Sequence, residues 1–127
     1  MLTLLISAIL FVCIDGIYLN LMKDYFQKQI KDVQGSAIQL NFVGALLTYI
    51  FLIFGLDYFI ISKNRSVYDA FLLGIVIYAT YEFTNLSLLK NWRVLTTILD
   101  TTWGGILFAL TTFLVYKIRL ILPKTLV

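Results

Sequence analysis

The chain has no histidine, one cysteine and one proline, and only 13% of its 127 residues are charged. Each shortage excludes something. Without histidine there is no serine–histidine or cysteine–histidine pair, and no phosphate-binding loop is present either, so neither nucleophile nor reaction can be assigned. The lone Cys13 excludes an intrachain disulfide and leaves the redox compartment unread. It is expected to be a small buried hydrophobe. The only proline, Pro123, lies beyond the last apolar run, so no membrane helix should be broken by proline. That counts against transporter architectures built on discontinuous helices. Basic residues cluster in loops without aromatic interleaving, which gives no nucleic-acid motif and suits anionic headgroups instead.

Apolar residues make up 61% of the chain, more than a soluble domain of this length can hide. Four apolar runs bounded by charged clusters stand out, at 2–22, 38–61, 67–89 and 94–116. Each has about 20 residues or more, enough for a helix to cross a hydrocarbon core of ~30 Å. Membrane β-strands are about half that length and alternate in polarity, which these runs do not. The sequence therefore predicts an all-α fold, a single domain of four transmembrane helices over residues 1–127. A cleaved leader is not expected, because no basic residue precedes the first run and no small-x-small site follows it.

Four spans put both termini on one side, denoted A, together with the loop 62–66. Side B carries the loop 23–35 and the turn 90–93. Lys63, Arg65, Lys117, Arg119 and Lys124 fall on side A, and Lys23, Lys28, Lys31, Lys90 and Arg93 on side B. This balance leaves the orientation undecided. Tyr25, Tyr58, Tyr68, Trp92 and Tyr116 near the run ends suit interfacial anchoring. The Asn64-Arg65-Ser66 acceptor lies too close to the membrane for glycosylation to be expected. Small residues at four-residue spacing, Gly44 and Thr48, then Thr101, Gly105 and Ala109, allow close helix packing.

Three carboxylates lie inside the spans: Asp15, Glu82 and Asp100. At ~1.5 Å per residue they sit roughly 5–8 Å from mid-span, and chain direction displaces all three toward side B. Asn85 and Asn41 fall in the same half. Gly74, Tyr78, Tyr81, Glu82 and Asn85 recur at three- and four-residue steps and form one stripe. Asp100 shares a face with Thr96, Thr97, Trp103 and Gly104, and Asp15 shares one with Tyr18. Asp57 is set apart, near side A, where it is expected to reach headgroups or Lys63.

A carboxylate at this depth must face the bundle and find partners. With no deep basic residue, the options are protonation, hydrogen bonds from uncharged donors, or a bound cation. Closely spaced carboxylates disfavour double ionisation, so at least one is expected to keep its proton at neutral pH. Oxygen ligands would suit a hard cation rather than zinc or copper, though no metal site can be assigned. The expected polar pocket comprises Asp15, Glu82, Asp100, Asn85, Tyr78, Tyr81, Asn41 and Trp103. Lys90, Trp92 and Arg93 are expected at its headgroup rim.

The stretch YEFTNLSLLKNW followed by DTTWGG resembles the domain of unknown function 2177 family of small membrane proteins. The matching positions are Tyr81, Thr84, Asn85, Leu89, Lys90 and Trp92, then Asp100, Trp103 and Gly104, with Asp15 and Tyr18-Leu19 matching an early family motif. Glu82 stands where the family usually has Asp, Ser87 where it has Ala, Tyr18 where it has Trp, and Arg93 where Pro is common. The resemblance runs over nearly the whole chain and implies the four-span architecture without implying an activity.

Three functions fit these residues. The acid layer could move protons or small cations, in which case a homo-oligomer is expected, since one four-helix bundle barely encloses a pathway. The pocket could bind or modify a membrane lipid, with carboxyl groups as general acid or base. Or the acids could tie helices together in a structural or accessory protein. The lipid bilayer is the expected partner, nucleic acid is not, and no cofactor is implied.

Overall fold

The computed structural model describes residues 1–125. Five helices follow in order: α1 (Leu2–Leu21), α2 (Lys23–Gln34), α3 (Phe42–Leu56), α4 (Val67–Leu88) and α5 (Val94–Ile121). α3 continues into one π-helical turn, Asp57–Ile61. Among the described residues, α1, α3 with its π turn, α4 and α5 are long and apolar enough to span a membrane. The four expected spans are therefore present, with two shifted ends. Residues 38–41 are not helical, and the Ile38 N–H donates to Gln27 Oε1 at 3.0 Å. α5 runs five residues past Tyr116, to Ile121.

The largest departure is α2. The segment read as the loop 23–35 is a polar helix of 12 residues that buries Gln29. It ends where Gly35 adopts a left-handed conformation (φ 80°) and its N–H donates to the Lys31 carbonyl at 2.8 Å, a conformation glycine enters without Cβ strain. No long apolar run announces such a helix, because its partner is a polar turn rather than a core.

α4 and α5 form the tightest pair. Gly74 faces the Gly104 carbonyl so closely that an added Cβ would collide with it, and Gly104 lies under the Tyr78 ring. A Cβ on Gly105 would come within 2.7–2.8 Å of Phe71 and Ile75. Gly105 therefore serves packing inside the bundle, as expected of a small residue in a membrane helix. Gly44 is different: a Cβ there would meet only the Asn41 side chain. Thr48 bonds the Gly44 carbonyl at 2.9 Å, and both residues are exposed.

The apolar core comprises Phe11, Leu56, Ile60, Ile61, Ala70, Leu107, Phe108 and Val115. These residues occupy the middle and side-A half of the bundle. α3 packs mainly on α1 and leaves Phe42, Leu46, Ile50, Phe51 and Phe54 facing outward, as suits a surface bathed by lipid tails. Cys13 lies on the outside too, against the expectation of burial. α1 turns its Asp15 face inward, and the opposite face, which carries Cys13, must then meet lipid.

The glycine contacts make a stability prediction. Gly74→Ala should push α4 and α5 apart and cost about 1–3 kcal/mol. Gly55→Ala, where nothing lies within 4 Å, should be neutral or stabilising by up to ~1 kcal/mol. Thermal unfolding in detergent, followed by circular dichroism, measures both.

Candidate intramembrane carboxylate site

Asp15 comes from the middle of α1, where its carboxylate is 7% exposed. It accepts from the Trp103 indole N–H at 2.9 Å and from the Tyr49 hydroxyl at 2.5 Å. Both donors are uncharged and come from different helices, α5 and α3. Glu82 on α4 is 1% exposed and accepts from the Trp92 indole at 3.0 Å. Asp100 on α5 accepts from the Tyr18 hydroxyl at 3.4 Å, a long contact. Glu82 and Asp100 lie near one another across the α4–α5 pair.

Aromatic rings join these acids. Tyr18 and Trp103 stack with centroids 4.3 Å apart and planes 4° from parallel. One ring of the stack donates to Asp100 and the other to Asp15. Asp15, Tyr18, Tyr78, Tyr81 and Asp100 line a single cleft of about 320 Å³, closed by Leu52 and Ile77. Among the described residues, no lysine or arginine lines it. Among the described residues, no three acid, cysteine or histidine side chains are grouped closely enough to hold one metal ion.

Not every expected residue reaches this cleft: Glu82 and Trp103 do not line it, although the Trp103 indole bonds Asp15. Asn41 is exposed and caps α3, accepting from the Gly44 N–H at 3.0 Å. A helix start leaves its first N–H groups unsatisfied, and asparagine is suited to meet one of them. Asn85 does not line the cleft, and Tyr81, 58% exposed, stands at its mouth. Trp92 is no headgroup anchor. Asn91 takes a left-handed turn (φ 66°), and Trp92 is buried at 8% exposure with its indole on Glu82. Arg93 pairs with Asp32 of α2 and lies 5.6 Å from the Tyr25 ring. Of the expected rim, Lys90 alone points freely to solvent.

The side-B roof is a polar latch centred on Gln29 of α2, which is fully buried. Its Nε2 donates to the Asn91 carbonyl at 3.0 Å. Its Oε1 accepts from the Arg93 N–H at 3.0 Å and from the Thr96 hydroxyl at 2.6 Å. Tyr25 and Thr96 hydroxyls share a further bond of 2.8 Å, so Tyr25 too is a structural partner. Thr96 lies one turn before Asp100 on α5, which ties the roof to the acids. Sequence reasoning missed Gln29 and Tyr49. Gln29 sits in a polar segment where nothing marks it, whereas Tyr49 was a visible mid-span hydroxyl.

The latch is testable. Gln29→Leu would strand the Asn91 carbonyl and the Arg93 N–H and leave the Thr96 hydroxyl with Tyr25 alone. It should cost about 1–3 kcal/mol, read by thermal unfolding in detergent, whereas Lys28→Leu on the exposed side of α2 should not.

No curated protein and no solved structure matches this chain. The family model described as predicted membrane protein (DUF2177) matches residues 1–117. That match spans most of the chain, including Asp15, Glu82, Trp92, Asp100 and Trp103, and the chain is therefore a member of the DUF2177 family of membrane proteins.

Proposed function

We propose that this small membrane protein moves protons, with the Glu82–Asp100 pair as the binding site and Asp15 as a third acid of the same layer. The observation that carries this reading is the proximity of two carboxyl groups deep in their spans, neither of them in an ion pair among the described residues. Two carboxylates are both acceptors, and they can bond only when one of them holds a proton. One proton held between two carboxyls, exchangeable by a shift of either side chain, is a minimal proton-binding site. The wide spacing of the third acid favours a proton over a metal cation.

A path through one protomer is closed at both ends in this conformation. Phe11 and Phe108, with ring centroids 5.5 Å apart, fill the bundle toward side A. The Gln29–Thr96 latch covers side B. Movement then requires the roof to open on one side and the aromatic contact to part on the other, or a second copy to complete the route. The alternative of a lipid head held in this pocket is weaker, because Trp92 and Arg93, two of its three rim residues, are engaged with Glu82 and Asp32.

Proteoliposomes under a pH gradient, read with an internal pH dye, test the reading. Wild type should dissipate the gradient, and folded Glu82→Gln and Asp100→Asn should both abolish the flux. A gradient maintained by wild type, or flux undiminished in both variants, would overturn it and leave the acids as ties between helices.

A further inference from the structure

A second set of residues, on side A, is independent of the carboxylate layer. Between α1 and α3 lies an apolar groove of about 460 Å³, a volume within the range of small-ligand pockets. Its walls are Met1, Leu4, Leu5 and Ala8 on one side and Ile50, Ile53 and Phe54 of α3 on the other, and Asp57 lines it as well. Asp57 also lines a second recess of about 300 Å³, shared with Thr3, Ser62 and Arg119. The two spaces share Met1, Leu4 and Asp57. One descends into the apolar zone, and the other opens among polar residues at the end of α5 and of the π turn.

Among the described residues, none forms a hydrogen bond or ion pair with the Asp57 side chain. The expected contact with Lys63 does not form: that ammonium donates to the Tyr58 carbonyl at 2.7 Å and stands 3.8 Å from the Tyr58 ring centroid. Among the described residues, the ion pairs are Arg65–Asp69 and Arg93–Asp32. Arg119 is held in place by Asn64, whose Oδ1 accepts at 2.9 Å, and by the Tyr116 ring 4.6 Å away. One anchoring bond leaves other N–H donors of its guanidinium free. The recess thus presents the Asp57 carboxylate and the Arg119 guanidinium, beside Met1, above an apolar channel.

We propose that this groove holds a phospholipid with a primary-amine headgroup, its acyl chain along the α1–α3 groove, its phosphate on Arg119 and its ammonium on Asp57. The assignment rests on charge complementarity. A zwitterionic head matches both residues, whereas an anionic head without an amine matches Arg119 and opposes Asp57. A quaternary ammonium carries no N–H to donate to the carboxylate, so phosphatidylethanolamine is preferred over phosphatidylcholine. Ser62 adds a hydroxyl at headgroup level.

Native mass spectrometry of the delipidated full-length protein tests this. The protein is offered an equimolar mixture of phosphatidylethanolamine, phosphatidylcholine and phosphatidylglycerol with identical acyl chains. The first bound lipid should be phosphatidylethanolamine, enriched about fivefold over phosphatidylcholine, the ratio that ~1 kcal/mol gives. Asp57→Asn should remove that preference, Arg119→Gln should weaken all three lipids, and Ala8→Phe should fill the groove and abolish the first adduct. Equal binding of the three lipids, preference for phosphatidylglycerol, or a preference unchanged in Asp57→Asn would each overturn the proposal. Should Ala8→Phe fail to fold, Asp57→Asn on the half-exposed rim still decides it.

Discussion

A carboxylate inside a bilayer without a basic residue in reach must be satisfied by uncharged donors, and this requirement organises the rest of the molecule. Such groups cost several kcal/mol if stranded in hydrocarbon. Here each is met by an aromatic hydroxyl or indole from another element: Trp103 and Tyr49 on Asp15, Trp92 on Glu82, Tyr18 on Asp100. The bonds fix how α1, α3 and α5 are rotated about their axes. They also dictate the turn between α4 and α5, since Trp92 reaches Glu82 only when the chain doubles back through Asn91.

That turn has its own polar groups to satisfy, which accounts for α2. The Asn91 carbonyl and the Arg93 N–H are both paired with the single Gln29 amide. A polar helix of 12 residues would be marginal alone in water; docked by Gln29, Tyr25 and the Arg93–Asp32 pair, it becomes part of the fold. The bundle is consequently divided by depth. Hydrogen-bonded side chains fill the side-B half, and close apolar packing around Phe11 and Phe108 fills the other. The α4–α5 crossing at Gly74 and Gly104 joins the two halves, bringing Glu82 and Asp100 together two turns and one turn further along.

The spans were legible because length and hydropathy alone decide whether a helix can cross a bilayer. The inward direction of Asp15, Glu82 and Asp100 was legible as well, because helical phase and the cost of burial point the same way. Neither signal reports which helix lies opposite. The Tyr49–Asp15 bond and the Tyr18–Trp103 stack depend on neighbour order, which no periodicity encodes. Trp92 was read as an interfacial anchor from its place at a run end, whereas the left-handed turn at Asn91 redirects it inward. Asn41 was assigned to the pocket by depth, but a helix start uses it locally. The helicity of residues 23–34 left no apolar trace, since what it buries is an amide.

The central claim is that Glu82 and Asp100 hold one proton between them, and infrared spectroscopy of the reconstituted protein at neutral pH tests it most directly. A protonated carboxyl has a C=O stretch distinct from that of a carboxylate. The account predicts such a band in wild type, lost or shifted in both Glu82→Gln and Asp100→Asn and unchanged in Asp57→Asn. A wild-type spectrum with carboxylate bands alone would contradict it.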